Sequence, residues 1–285
     1  MGVRKVGAVT SWFRGIHPSR ERSPKIDTTV AHPARIYNYW LGGKDNYAAD
    51  REAAEQAIAA NPSILADVRA NRAFLARAVR YFAGQVGVRQ FLDIGTGLPT
   101  ASNTHEVAQS VSPESRIVYV DNDPIVLAHA RALLTSTAEG ATAYLDAELR
   151  DVDKILTAAA RTLDFREPVA IMLLLVLHLV PDSQDPYRIV ARLMDAMSSG
   201  SYLVVSHPAK DIRPDAVAEM ARRMRACGIQ GTPRTHAEVS RFFDGLDLLE
   251  PGVVQAQQWR PRPGPGTHVT DTTAWCGVAR KRLGR

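Results

Sequence analysis

The chain has 285 residues, is 45% hydrophobic and carries a formal net charge of +5. This length and apolar content exclude a disordered protein and indicate one large domain, or one domain with an appendage. The charge does not indicate a nucleic-acid partner, because residues 1–26 hold six basic side chains and one acidic side chain, which account for all of it.

Several signals are missing from the sequence. The two cysteines, Cys227 and Cys276, have no neighbours at metal-ligand spacing, so neither a disulfide framework nor a metal site is predicted. The N-terminus lacks the apolar segment of a secretory signal. The longest apolar run, 169–180, is far shorter than the ~20 residues that span a bilayer. We therefore expect a cytoplasmic protein with no membrane partner; no oligomeric state is predicted.

The first 85 residues contain no predicted strand. Residues 1–26 have no periodicity and predict a flexible basic tail. Residues 27–85 form an N-terminal segment with predicted helices at 50–60 and 63–84. Before these helices, residues 36–47 gather three tyrosines and a tryptophan around Gly42-Gly43, which suggests a lid over a binding site. The alternative is a helix packed on the edge of the sheet.

From residue 86 onward the pattern alternates between strand and helix. Strands are predicted at 90–94, 116–120, 141–145, 169–177 and 201–206, with helices following residue 101 and at 124–135, 151–160, 186–197 and 214–226. This order predicts an α/β fold with a doubly wound parallel sheet. Two last strands, 246–254 and 273–279, have no helix between them and should form an antiparallel pair. The sheet would then have seven strands.

The loop after the first strand, "DIGTG", is poor in side chains. In an open parallel sheet the ligand binds beyond the carboxyl ends of the strands. Gly95 and Gly97 leave the backbone open to such a ligand, and Asp93 ends the strand before them. Thr100 stands where a pyrophosphate-binding loop has its third glycine, so the pattern favours a ligand without a pyrophosphate. A tight strand-to-helix turn is the alternative.

Acidic residues follow the next two strands. Asp123 precedes Pro124 and is predicted to cap the next helix, which leaves Asp121 free to accept hydrogen bonds from ribose hydroxyls. After the third strand, Glu148 could accept from the exocyclic amine of a purine, whereas Asp151 should cap a helix. The glycine loop and the two acids together describe an adenosine pocket.

At this point the chain resembles the seven-stranded, Rossmann-like S-adenosylmethionine-dependent methyltransferases, through "LDIGTG" and "VYVDNDP". It is similar in particular to an actinobacterial S-adenosyl methyltransferase family long known as a domain of unknown function. The stretches that carry this resemblance include "HPARIYNYWLGGKDNYAADREAAE", "RANRAFLARAVR", "VLHLVPDSQDPYRIVARLMDAMSSGSYLVVSH" and "QQWRP", within residues 28–280. Residues 86–285 would then form the S-adenosylmethionine-binding methyltransferase domain.

The resemblance implies S-adenosyl-L-methionine as the cofactor and methyl transfer to a small-molecule acceptor, which the sequence does not identify. The residues expected to bind the cofactor are Asp93, Gly95, Thr96, Gly97, Asp121, Asn122, Glu148 and Leu149. Those expected on the lid and acceptor side are Tyr37, Asn38, Tyr39, Lys44, Tyr47 and Arg72.

His178 is the candidate general base, and the alternative is a histidine that only caps a buried strand. Two other functions remain open at this stage. One is a protein that binds the cofactor without transferring the methyl group, and the other is a nicotinamide-dependent reductase. The missing third glycine argues against the reductase.

Overall fold

A computed structural model describes residues 27–133, 135–261 and 271–282 of the chain. The predicted basic tail lies outside these residues. Three helices precede the sheet: α1 (Pro33–Trp40), α2 (Ala48–Ala60) and α3 (Ile64–Tyr81). The helices predicted at 50–60 and 63–84 are confirmed, and a short π-helical segment, Phe82–Val86, continues α3 towards the sheet. Helix α1 includes the first part of the segment predicted as a lid, for which a packed helix was the alternative.

The described strands form one mixed sheet. They are β1 (Gln90–Ile94), β2 (Arg116–Asp121), β3 (Ala141–Asp146), β4 (Val169–Leu174), β5 (Tyr202–Pro208), β6 (Asp247–Leu248), β7 (Val254–Gln255) and β8 (Ala274–Arg280). The first five strands are parallel and lie in the order β3-β2-β1-β4-β5. Strand β8 lies antiparallel to β5, and β6 and β7 both pair antiparallel with β8. The predicted doubly wound, mostly parallel sheet is confirmed.

The remaining helices connect these strands. They are α4 (Thr104–Gln109), α5 (Pro124–Leu133), α6 (Val152–Ala159), α7 (Pro186–Asp195), α8 (Pro214–Ala226) and α9 (His236–Ser240). In the part of the chain that the structure describes, no helix is both long enough and apolar enough to cross a membrane.

Two predicted strands differ from the structure. The strand predicted at 169–177 ends at Leu174, because Leu175 has a left-handed backbone with a φ of 49°, which lies outside the β region. The strand predicted at 246–254 is wrong as a continuous element: it divides into β6 and β7, with Pro251 and Gly252 between them. Proline has no amide hydrogen for the ladder, and glycine weakens a strand, so pairing stops there. The sheet consequently has eight described strands instead of seven.

Apolar side chains cover both faces of the sheet. All six residues of β4 are buried, and successive side chains enter opposite clusters. Ile171 and Leu173 belong to one cluster, whereas Ala170 and Met172 belong to the other. This two-sided burial is typical of a parallel strand with helices on both faces, and it leaves the carboxyl ends of the strands as the open edge.

Helices α1, α2 and α8 form a cap above that edge. They share a small apolar cluster that includes Ile36, Ala54 and Met224. A buried ion pair fixes α1 to α2, with Arg35 Nε 3.1 Å from Asp50 Oδ1. The Asp50 carboxylate also accepts the backbone N–H of both His32 and Tyr47 at 2.8 Å. The cap is therefore tied together by polar contacts as well as by packing.

Candidate functional site

A cavity of about 420 Å³ lies between the cap and the carboxyl ends of the strands. This volume falls within the range of roughly 300–1,000 Å³ typical of small-molecule sites. One side is formed by Asp93, Gly95, Thr96, Gly97, Asp121, Asn122, Glu148 and Leu149. The structure thus gathers around one cavity all eight residues that the sequence assigned to the cofactor. Tyr37, Arg72 and His178 also line it.

Gly95 and Gly97 both have a left-handed backbone, with φ of 73° and 67°. A Cβ atom at Gly95 would lie 2.4 Å from Cγ2 of Val176, so this glycine is needed for packing. A Cβ atom at Gly97 would meet no heavy atom within 4 Å. Gly97 therefore leaves open space beside the backbone, as a closely approaching ligand requires.

Asp121 holds the glycine loop in place. Its Oδ2 accepts the backbone N–H of Gly97 at 2.9 Å, and its Oδ1 accepts that of Asp123 at 2.9 Å. Burial raises the pKa of Asp121. A carboxylate offers about four lone-pair sites, so two remain for further donors such as the two hydroxyls of a ribose. The residues present fit the adenosyl group of S-adenosylmethionine at this position.

Asp123 has the capping role expected from the sequence. Its Oδ1 accepts the backbone N–H of Ile125 at 2.9 Å, in the first turn of α5, while its Oδ2 lies 3.0 Å from Nδ1 of His32. Burial opposes the charged form, but the contacts with His32 and the Ile125 amide outweigh it, and the net pKa of Asp123 is lowered. His32, which also lines the cavity, thus connects the cap to the loop after β2.

Asp93 is the most perturbed carboxyl group of the cavity. Burial raises the pKa of Asp93 to about 6, against the opposing effects of a hydrogen bond from the Thr104 hydroxyl at 2.6 Å and the charge of Arg72. Arg72 donates to the backbone carbonyls of Ala101 at 3.2 Å and Ser102 at 3.0 Å. A cationic group such as the ammonium of a bound amino acid would stabilise the charged form of Asp93.

The loop after β3 supplies the outer end of the cavity. Asn122 donates from Nδ2 to Glu148 Oε1 at 2.5 Å, and Arg150 lies 3.3 Å from Oε2 of the same carboxylate. Glu148 is exposed, whereas Leu149 beside it is buried. A flat apolar ring with an amine at its edge could contact both residues.

His178 lies just beyond β4, in a short 3₁₀ segment, Leu177–Leu179. Its Nδ1 is buried and has no hydrogen-bond partner among the described residues. Burial lowers the pKa of His178 to about 4, and the nearby charge of Arg234 adds to the shift. The imidazole is therefore neutral at physiological pH, free to form a hydrogen bond but a weak proton acceptor.

The sequence analysis missed the residue that supports this segment. Arg234 is buried and donates to the backbone carbonyls of Leu177 at 3.2 Å and Val180 at 2.9 Å, on either side of His178. Its guanidinium also lies 2.8 Å from Nε2 of His207 on β5. Arg234 thus fixes the backbone that carries His178. No local sequence pattern marks it, because its partners lie 27 to 57 residues away.

A second unpredicted residue, Asn71 on α3, joins the cap to the sheet. It donates from Nδ2 to the hydroxyl of Tyr37 at 3.0 Å and accepts from the hydroxyl of Ser206 at 2.6 Å. Ser206 Oγ in turn accepts the backbone N–H of Leu175 at 3.1 Å. Tyr37 is therefore held against the cavity by a buried chain of hydrogen bonds that ends at the β4 loop.

Four other residues assigned to the lid do not line the cavity. Asn38 lies under the Gly42-Gly43 turn and accepts the backbone N–H of Asp45 at 3.1 Å. Tyr39 donates to Glu55, Lys44 is exposed, and Tyr47 packs against the cluster of Leu98, Ile125 and Val126. Contact of these four with an acceptor stays a prediction that requires the segment to move.

Comparison with known proteins gives a consistent result. A family model described as S-adenosyl methyltransferase matches residues 19–282. The crystal structure of a DUF574 family protein from Streptomyces avermitilis MA-4680 is 47% identical, covers 90% of this chain and 100% of its own, and superposes with a TM-score of 0.87. A candidate methyltransferase from Thermobifida fusca YX is 40% identical, with 93% and 100% coverage and a TM-score of 0.84.

More distant structures share the fold alone. The plantazolicin methyltransferase BpumL, solved with SAH and a triazolic desmethylPZN analogue, is 11% identical, covers 87% of this chain and 96% of its own, and has a TM-score of 0.51. The search of curated proteins found no match.

Proposed function

Because this chain belongs to the S-adenosyl methyltransferase family, we propose that it transfers a methyl group to a small-molecule acceptor bound in the cavity under the cap. Family membership makes S-adenosyl-L-methionine the cofactor and disfavours the nicotinamide alternative. The observation that carries the proposal is the cavity itself. One cavity joins the eight predicted cofactor residues to an apolar region under α1 and α8.

The order of the strands assigns the two ends of this space. Glu148, suited to a base, follows β3, and Asp121, suited to a ribose, ends β2. Asp93 lies near the end of β1, and the glycine loop follows this strand. Since β4 and β5 come next in the sheet, a cofactor laid across these ends brings its methionine portion to β1 and its reactive side towards β4. The acceptor would then bind near His178 and Tyr37.

When bound, S-adenosylmethionine supplies an electrophilic methyl group on a positively charged sulfur. The acceptor's lone pair forms the new bond to carbon as the carbon–sulfur bond breaks and its electron pair passes to sulfur. The protein's contribution is to align the two molecules and exclude water, which accounts for much of the rate in such displacements. In the proposal, Asp121 holds the ribose, Asp93 faces the ammonium and Arg72 lies near the carboxylate.

His178 is assigned a positioning role at the acceptor. Its neutral ring can accept a hydrogen bond from the attacking group, but a pKa of about 4 makes it too weak to hold the proton of an alcohol or amine. An acceptor that must lose a proton would release it to bulk solvent after the methyl group has been transferred. The same weakness supports the second candidate function, binding of the cofactor without transfer.

Two measurements test the proposal. Calorimetry should show that S-adenosylhomocysteine binds to the wild-type protein and that NADH does not. Incubation with S-adenosylmethionine labelled in its methyl group and the low-molecular-weight fraction of a cell extract should then give a labelled product. Binding without any labelled product would favour the non-transferring candidate, and absence of binding would overturn both. Heat-inactivated protein controls for non-enzymatic transfer.

A further inference from the structure

Part of the cavity lining is an apolar wall. Val217, Met220 and Met224 lie on one face of α8 at helical spacing, and all three line the cavity. Trp40 and Ile36 of α1 complete this wall. We use the term apolar wall for these five residues. Two thioethers and an indole offer polarizable contacts that suit an aromatic ring.

The charged residues that line the cavity either have partners within the protein or belong to the glycine-loop side of the cavity. Asp67 is buried and accepts both the backbone N–H and the hydroxyl of Thr273. Arg72 donates to two backbone carbonyls, and Asp93, Asp121 and Glu148 belong to the glycine-loop side. Among the described residues, none of the apolar wall carries a charge. An ionic acceptor would therefore leave its charge without a partner, which is costly in a buried site.

One polar group lies at the border of the wall. The ring of His178 lines the cavity, and no hydrogen bond to either ring nitrogen is found among the described residues; Nδ1 is buried, which leaves Nε2 as the nitrogen that a ligand can reach. A ligand with an X–H group could satisfy the imidazole, whereas a purely apolar ligand would leave it unsatisfied.

We propose that the acceptor is an uncharged, largely apolar aromatic compound that packs against the wall and donates one hydrogen bond to His178. This inference rests on the proposed function, because it identifies the apolar side of the cavity as the acceptor site. It disfavours nucleotides, organic acids and other charged compounds, and polyhydroxylated compounds such as sugars, as the main substrate class.

Three probes of common shape test this inference: 2-naphthol, naphthalene and naphthalene-2-sulfonate. Each is titrated by protein NMR into the free protein and into protein saturated with S-adenosylhomocysteine. We expect 2-naphthol to bind several-fold more tightly than naphthalene, since only 2-naphthol donates a hydrogen bond, and the sulfonate to bind at least tenfold more weakly than 2-naphthol. Equal affinity for the sulfonate, or no binding of 2-naphthol in either state, would overturn the inference.

Two matched variants locate the binding. Met220→Glu puts a charge on the wall, and Ala218→Glu puts the same charge on the exposed side of α8. The first should abolish binding of 2-naphthol and preserve that of S-adenosylhomocysteine, and the second should preserve both. His178→Ala should remove the preference for 2-naphthol over naphthalene. If S-adenosylhomocysteine binds and Met220→Glu leaves the affinity for 2-naphthol unchanged, the inference about the acceptor fails while the proposed function stands. If S-adenosylhomocysteine does not bind to the wild-type protein, the proposed function itself fails.

Discussion

Gly95 and Gly97 share a left-handed backbone but differ in what surrounds them, and this difference gives a sharp test of the site. A left-handed conformation costs about 1–2 kcal/mol for a residue with a Cβ atom. Replacement by alanine should therefore destabilise the protein by that amount at either position. At Gly97 nothing is added to this cost, because the new methyl group would meet no heavy atom within 4 Å.

At Gly95 the methyl group would also collide with Val176, whose Cγ2 and Cβ would lie 2.4 and 2.6 Å away. Overpacking of this kind typically costs a further 1–3 kcal/mol. Gly95→Ala should thus be the more destabilising change, with a total of about 2–5 kcal/mol in the free energy of unfolding. A second replacement, Val176→Ala, should restore part of the lost stability in the Gly95→Ala background, because it removes the colliding atoms.

Replacements at Gly97 should impair ligand binding more than they impair stability. The space beside Gly97 belongs to the cavity, so Gly97→Val should keep a folded protein and abolish binding of S-adenosylhomocysteine, with Gly97→Ala intermediate. Urea unfolding and calorimetry on the same preparations measure both quantities. The reasoning is refuted if Gly97→Val binds the ligand as the wild type does, or if Gly97→Ala is as unstable as Gly95→Ala.

Three further results are expected. Asp121→Ala should weaken binding of S-adenosylhomocysteine by about 1–3 kcal/mol in calorimetry. Asp123→Ala should instead lower the melting temperature, because it removes a helix cap worth ~1 kcal/mol, and should affect affinity much less. If the two variants showed each other's effects, the assignment of the two aspartates would be reversed. Asp93→Asn should stabilise the unliganded protein by roughly 3 kcal/mol in urea unfolding at pH 8 and by little at pH 4. The reason is that the pKa of Asp93 is raised to about 6 in the folded protein, so the wild type loses stability as the pH rises from about 4 to 6. An equal gain at both pH values would contradict this. If residues 36–47 act as a lid, their amide exchange should slow on addition of S-adenosylhomocysteine, while that of β4 stays unchanged. Exchange at 36–47 that is already slow in the free protein, and that the ligand does not change, would indicate a fixed helix.

Sequence alone located the parts of the fold that depend on local patterns. The apolar run of β4 is recognisable because a strand buried on both faces requires consecutive apolar residues. The glycines after β1 are recognisable because a left-handed backbone favours glycine. The eight residues predicted to bind the cofactor could be grouped for the same reason: they lie at or just after the carboxyl ends of three strands, which must meet at one edge.

Other features depend on contacts between distant segments. Arg234 and Asn71 have ordinary sequence surroundings, and their roles come from partners 27 to 135 residues away. Two features that the sequence analysis did not place had a usable local signal. Pro33 after His32 is a favourable start for a helix and could have indicated α1, and the Pro251-Gly252 pair could have indicated the break between β6 and β7.

Because β8 comes late in the chain, the sheet can be completed only near the end of synthesis. Among the described strands, β6 and β7 pair only with β8, and β8 is the neighbour of β5 on its outer side. At ribosomal rates of about 5–20 residues per second, the edge of β5 stays unpaired for several seconds before residues 274–280 emerge. An unpaired edge of a sheet is a site for aggregation.

The same late segment also closes the cavity. Thr273 and Ala274 line it, and Thr273 binds Asp67 on α3. A nascent chain that stops before this segment therefore lacks part of the cavity lining, so a bound ligand should stabilise it less than it stabilises a chain that has added β8.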